Sequence, residues 1–318
     1  MTFRDKINKF NFMDHRKMYY IITVAIIIVS MAIGLVRGYN FGIDFTGGTI
    51  IHIEMGKKVD NSEVKAVMEA SDVKGTLVTY AGEKNTQVMI KSPKSLDNNQ
   101  RAEVLAALKA KFGFSDDDVI SVSNRGPSVG KTMRTSAAKA VAVSVVLMLI
   151  YIAVRFMWKY GIAAILALLN TLFIVIGFYG AFHISINSPF IAAMLTILGY
   201  GINDTIVIFD RIRENTGTNS RRGISGNKSM VNESIRQTLG RSLMTSLTTI
   251  AVMIPLLIFC GDTIRSFILP LLIGVIASTL SSIFIATSLW YDIVRITDKN
   301  SYVNKSKQKD RKKSSPVA

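Results

Sequence analysis

Asp204 stands in the run Gly201-Ile202-Asn203-Asp204-Thr205-Ile206-Val207-Ile208-Phe209-Asp210-Arg211, and no other charge occurs back to Pro189. A carboxylate near a bilayer centre costs about 2.5–3.5 kcal/mol on insertion scales, so something must offset it, and ion or proton movement is the usual reason. At 1.5 Å per residue, Asp204 lies about 10 Å from the polar end of its run at Arg211, below the midplane but within hydrocarbon. Asp210 sits beside Arg211, Arg213 and Glu214, where water and headgroups reach, and reads as structural. The following apolar run starts near Thr238 and must be antiparallel, which sets Arg241 at a similar depth as the candidate counter-charge. In a low-dielectric site Asp204 would hold its proton while Arg241 is distant and release it when Arg241 approaches. Such an exchange lets one carboxylate pick up and deliver a proton.

Candidate supporting groups lie close by. Asn203 can orient Asp204, and Thr245, Ser246, Thr248 and Thr249 can carry a water or proton path. The plainer role of such hydroxyls is to bond their own i−4 carbonyl or a neighbouring helix. Asn170 can cross-link helices, and Gly199 and Gly201 let another helix approach near Asp204.

Other chemistries find no residues to carry them. There is no glycine-rich phosphate loop ending in Lys-Ser or Lys-Thr. The three histidines are scattered, so neither a nucleophile–base arrangement nor a metal or cofactor site is expected, and the chain does not read as an enzyme. Asp116-Asp117-Asp118 points three ways and reads as loop decoration. The net charge of +16 does not imply nucleic acid, because no basic face is interleaved with aromatics. Orientation in a membrane and attraction to anionic lipid headgroups account for it. The single cysteine, Cys260, excludes an intrachain disulfide.

Six apolar runs approach or exceed the ~20 residues that a spanning helix needs. They are Met18–Val36, Ala137–Phe156, Ile162–Phe182, Phe190–Phe209, Leu243–Cys260 and Phe267–Val294, the last long enough to tilt or project. The first, with Ser30-Met31-Ala32 as a small-residue site, can be read as a cleaved signal, but its unbroken length favours an anchor. Basic residues gather at Arg4, Lys6, Lys9, Arg16 and Lys17, at Arg155 and Lys159, from Arg211 to Arg236, and from Lys305 to Lys313. The intervening loops His183–Pro189 and Gly261–Arg265 hold none and one. Six spans put every basic group on one side, with both termini cytoplasmic.

The resulting domains are a cytoplasmic segment 1–17, a first span 18–36, an extracytoplasmic domain 37–134, a five-helix region 135–296 with a cytoplasmic loop 212–240, and a basic tail 297–318. Within the outer domain, alternation predicts a strand at Gly48–Met55, a helix at Asn61–Ala70 after Asp60 or Ser62, and strands at Thr76–Tyr80 and Gln87–Lys91 around Ala81–Asn85. Asp97 can cap a helix to Phe112, and Val119–Val122 is a last strand, giving the βαββαβ order of a ferredoxin-like fold. His52 falls mid-strand without a ligand cluster and reads as structural or exposed. Gly42, Asp44, Gly47 and Gly48 lead into this domain, and Gly126, Pro127 and Gly130 lead out. These are tight turns on the simpler reading and hinges on the functional one.

In combination, Gly42-Ile43-Asp44-Phe45-Thr46-Gly47-Gly48, Gly126-Pro127-Ser128-Val129-Gly130, the stretch Gly199–Asn215 and Thr238–Thr249 strongly resemble the SecF family, over nearly the whole chain. The resemblance implies an α-helical polytopic membrane protein of the resistance-nodulation-division superfamily, with six transmembrane helices and a small α+β ferredoxin-like extracytoplasmic domain between the first and second. It implies a half-unit of the SecDF complex in the bacterial cytoplasmic membrane, completed by six spans from SecD. The complex uses the proton-motive force to assist polypeptide export through the SecYEG channel alongside the SecA motor. Other Sec accessory subunits, the translocating polypeptide and membrane lipids are the remaining expected partners. Carried over, Asp204 is the fourth-span proton-relay carboxylate, and Arg241, aligned by its local motif, is its basic partner. Competing readings are a drug or lipid exporter of the same superfamily and a non-energised scaffold for membrane-protein insertion.

Overall fold

A computed structural model describes residues 10–81, 86–220 and 228–297. The basic residues Arg4, Lys6, Lys9, Arg221, Arg222 and Lys305–Lys313, and the turn residues 82–85, lie outside the described residues. Among the described residues, six helices are long and apolar enough to cross a membrane. They are α1 (Arg16–Arg37), α4 (Pro127–Arg155), α5 (Trp158–Ala181), α6 (Ser188–Ser220), α7 (Lys228–Phe259) and α8, which begins as Asp262–Leu280 and passes through a π-helical stretch, Ser281–Ala286, within the apolar span Ile264–Thr297. Together with the insert after α1, this is the expected fold class.

Among its described residues the insert holds β1 (Gly48–Glu54), α2 (Asn61–Ala70), β2 (Leu77–Ala81), β3 (Gln87–Ser92), α3 (Asn98–Phe112) and β4 (Val119–Arg125). A one-turn helix, Ile43–Thr46, precedes β1. The sheet runs β2-β3-β1-β4 with antiparallel pairing throughout, the ferredoxin-like arrangement. Alternation along β1 turns Ile51 and Ile53 inward, and both are fully buried against Val64, Met68, Val88, Ile90, Val104 and Leu108.

Local chemistry fixes the helix ends. The Asp60 carboxylate accepts from the Ser62 amide at 2.9 Å to start α2, which holds that exposed carboxyl below the usual carboxylate range. A reciprocal capping box of Asp97 and Gln100 starts α3, and Gly113, in the left-handed conformation, ends it. His52 faces Gln87 across the β1–β3 ladder at 3.2 Å. The three consecutive acids part company: Asp116 pairs with Lys109 at 2.8 Å and Asp118 accepts from the Ser115 amide at 2.6 Å.

Leu108→Ala should cost the insert about 2–5 kcal/mol, because the removed side chain is fully enclosed. For a small domain that lowers its unfolding temperature by roughly 10 °C or more. Limited proteolysis of the full chain across a temperature series would show it.

Among the spans, burial separates centre from periphery. Two-thirds of the apolar window of α8 is buried (67%), half of α5 (50%) and 44% of α6, but only 6% of α1 and of α4. The helices α5, α6 and α8 therefore form the middle of the bundle, and the apolar faces of α1 and α4 are turned outward. Asn170 does cross-link helices: it accepts from Thr23 of α1 at 3.1 Å and donates to Ser281 of α8 at 3.2 Å. At one end of the bundle Arg16 pairs with Asp292 at 3.0 Å and the Met13 amide donates to Asn232 at 3.0 Å, tying the start of α1 to α8 and α7.

Helix α6 continues to Ser220 and α7 begins at Lys228, so most of the stretch assigned to a loop at 212–240 is helical. An apolar run marks only the part of a helix that suits lipid, and a helix continues beyond it wherever its next turns find partners. Asn215 bonding Ser234 at 2.8 Å, and Ile212 packing beside Val231 and Ile235, are such partners.

Candidate functional site

Asp204 is 3% exposed, on the side of α6 that meets α7 and α8. Its approach to α8 depends on Gly201, three residues earlier. A Cβ there would stand 2.6 Å from Ser278 Oγ and 3.0 Å from Leu168, so any larger residue would require the Ser278 hydroxyl to turn away. Gly199 faces open space and carries no such contact. The Thr205 hydroxyl lies 2.8 Å from that of Ser282, in the π-helical stretch, and fastens the two helices. Stretches of this kind recur at functional sites.

Asp204 has a hydroxyl beside it. Thr279 of α8 is a near neighbour of the carboxylate, although no closed hydrogen bond joins the two, and Asp204 Oδ2 is buried without a partner. Thr279 in turn lies 2.6 Å from the Ser246 hydroxyl of α7 and 2.9 Å from the Val275 carbonyl. A hydroxyl has one proton to give and can accept in return. Thr279 donates its proton to Val275 O, which leaves Ser246 to donate to Thr279. A turn of the Thr279 hydroxyl toward Asp204 would extend this pair into a short chain ending on the carboxylate.

The chain has a continuation on α7. Ser242 and Thr238 precede Ser246 at successive four-residue steps, a rise of about 6 Å each, and so share its face. They are 1% and 5% exposed. The Ser242 hydroxyl has no protein partner, and Thr238 lines a polar cleft of about 330 Å³ together with Arg155, Asp210, Arg211, Glu214 and Arg241. Polar groups of α7 thus run at helical spacing from the cleft to the neighbourhood of Asp204.

The other sequence candidates fall elsewhere. Arg241 is exposed at the cleft and attracts Asp204 from a distance, without an ion pair within 4.0 Å. Asp210 is bound to Arg213 at 2.8 Å. Asn203 is exposed. Thr245 and Thr248 donate to carbonyls of their own helix, Thr245 to Arg241 O at 3.1 Å and Thr248 to Met244 O at 3.0 Å, so the structure does not bring either to Asp204. Of the α7 hydroxyls proposed from sequence, Ser246 alone reaches this cluster, although Thr249 meets Tyr200 at 3.2 Å. Sequence reasoning missed Thr279, Ser278 and Ser282; the signal was the hydroxyl run Ser278-Thr279-Leu280-Ser281-Ser282 inside the longest apolar stretch.

The glycine motifs lie at the other end of α6. Gly42 donates its amide to Ile186 O at 2.7 Å, just before α6 begins. Gly130 packs so closely on the one-turn helix that a Cβ would be 2.5 Å from the Phe45 carbonyl oxygen. Gly48 adopts a φ of +144°.

Fold and site together define a six-span membrane protein with a ferredoxin-like domain after its first span and a carboxylate buried inside its fourth. Residues 104–296 match the C-terminal family described as protein export membrane protein SecD/SecF, and residues 33–59 match the SecD/SecF GG motif. The protein translocase subunit SecF of Sebaldella termitidis is 38% identical over 94% of this chain and 96% of its own length. Protein translocase subunit SecDF of Bacillus subtilis is 36% identical, over 89% of this chain but 38% of that longer protein. The crystal structure of SecDF from Thermus thermophilus, described as a translocon-associated membrane protein, superposes with a TM-score of 0.79 at 33% identity, covering 94% of this chain and 40% of that one. The same comparison with SecDF in its super-membrane-facing form gives 0.68 at 32% identity. This chain belongs to the SecD/SecF family of protein-export membrane proteins.

Proposed function

We propose that this chain serves as the SecF-type subunit of a proton-motive-force-coupled complex that assists polypeptide export through the Sec translocase, together with a SecD subunit and the SecYEG channel. The observation that carries the reading is Asp204, a buried carboxylate with an unpartnered oxygen beside the hydroxyl pair of Thr279 and Ser246. A purely structural carboxylate would be expected to have both oxygens satisfied. Proton exchange needs a group that can be filled and emptied, and hydroxyls supply its route. Arg241 acts from the cleft, moving toward Asp204 to favour its charged form and away to favour its neutral form. Both termini and the α6–α7 connection face the cytoplasm, as the basic residues on those segments require. The ferredoxin-like domain faces outward.

Vesicles that hold this chain with SecD and SecYEG provide the test. An imposed proton gradient should raise export of a late intermediate, and an uncoupler should remove the increment. Arg241→Met should remove about tenfold of the stimulation, the worth of one interaction of 1.4 kcal/mol, while the outer domain stays folded. Export indifferent to the gradient would reject the reading, and wild-type stimulation by the variant would reject Arg241 as the partner.

A further inference from the structure

Asp44 lies in the one-turn helix Ile43–Thr46, far from Asp204 in sequence, and its carboxylate holds two parts of the molecule at once. Its Oδ1 pairs with Arg125 Nη1 at 3.2 Å, and its Oδ2 accepts from the Ser188 amide at 2.9 Å. Arg125 is the last residue of β4, and Ser188 is the first residue of α6, the helix that carries Asp204. The Asp44 side chain is 17% exposed, and that of Arg125 is 37% exposed, so the carboxylate is the more shielded end of the pair. Both contacts are charge-assisted, and the second places an anion on the unpaired amides and positive dipole end of a long helix.

The backbone around it is equally committed. The Ile186 amide donates to Asn40 O at 2.8 Å and the Gly42 amide to Ile186 O at 2.7 Å, a parallel bridge between the exit from α1 and the approach to α6. Asp44 sits on the membrane side of Gly47 and Gly48, both at positive φ, whereas Arg125 sits on the domain side of Gly126. The Asp44–Arg125 pair therefore crosses both glycine connections of the domain. From Ser188 to Asp204 is sixteen residues of continuous helix, about 24 Å. A shift or rotation of α6 at Asp204 is delivered to Ser188.

We propose that Asp44 is a coupling latch, a positioning residue whose carboxylate passes movement of α6 through Arg125 to the outer domain. This rests on the proton-exchange reading of Asp204, and it makes the glycine connections yield under control of a specific ion pair.

The experiment uses the full chain co-reconstituted with a cysteine-free SecD partner. Spin labels go on the native Cys260, beyond the end of α7, and on exposed Lys65 of α2 through Lys65→Cys. The wild-type distance between labels should shift when a proton gradient is imposed. Asp44→Ala and Arg125→Gln should both lose that shift while proton flux across the vesicle persists. Arg125→Gln leaves the Ser188 contact in place, so its effect does not depend on how well α6 starts. A shift retained by either variant overturns the latch, and so does a loss of flux together with the shift, which would place Asp44 in the relay. Wild-type flux without a shift overturns the latch alone, whereas neither flux nor shift in the wild type overturns the proton-exchange reading with it.

Discussion

Asp204→Asn should abolish gradient-stimulated export while leaving the subunit assembled with SecD. The substitution keeps the shape of the side chain and leaves the Thr205–Ser282 contact between α6 and α8 untouched, so their packing should be retained. Asparagine is also cheaper than aspartate in an apolar span, which removes membrane insertion as a cause of any loss. What disappears is the capacity to take and give a proton. Positioned proton-transfer groups contribute about 10²–10⁴-fold to the steps they serve, so the stimulated rate should fall to that of uncoupled vesicles. The measurement is export with and without an uncoupler, beside co-purification of SecD. Full stimulation in the variant removes Asp204 from the relay. Loss of the complex itself makes Asp204 a structural hydrogen-bonding group and restores the scaffold reading.

The two halves of the chain were unequally readable, for a physical reason. In the outer domain water marks one face of each element. The alternation of Ile51 and Ile53 with His52, and the spacing of Val64 and Met68, therefore locate strands and helices to within a few residues of their observed limits. In the membrane both lipid and core are apolar, so periodicity does not say which face of a helix turns inward. Counting residues gives depth only coarsely: it set Arg241 level with Asp204, whereas Arg241 lines the cleft with Asp210, Arg211 and Glu214. Counting does not give azimuth, and so Thr245 and Thr248 could not be separated from Ser242 and Ser246, one face away on the same helix. Thr279 lies 75 residues beyond Asp204, and only the packing of α8 against α6 joins them. The bond from Asp44 to the start of α6 is equally non-local, and nothing in the Gly42–Gly48 motif alone specifies it.

The same motif yields the largest expected change in stability. Gly48→Ala places a Cβ 2.1 Å from Ser92 O and 3.2 Å from Pro93 Cα, at a φ of +144°. These obstacles are backbone atoms of β3 and its exit, so no rotamer change clears them. Either β1 and β3 part at the paired Thr49 and Ser92, or Gly48 changes conformation and displaces Arg125, its partner on β4. The unusual φ alone costs about 1–3 kcal/mol, and separating the strands adds to it. A domain of roughly 80 residues has a total stability of about 4–12 kcal/mol, so this one methyl group removes a large share. Gly56 supplies the control, because it has a φ of +64° with nothing within 4 Å of a Cβ. Gly56→Ala should cost only about 1–2 kcal/mol, the local price of a left-handed residue. Limited proteolysis of the two full-length variants over a temperature series separates the cases: Gly48→Ala should be cut in the outer domain at least 10 °C below Gly56→Ala, taking about 4–8 °C per kcal/mol. Equal resistance would mean that β3 yields freely to a side chain at this position. Strong loss in Gly48→Ala alone would establish that close approach of two backbones, ahead of any hinge motion, is what position 48 requires of its residue.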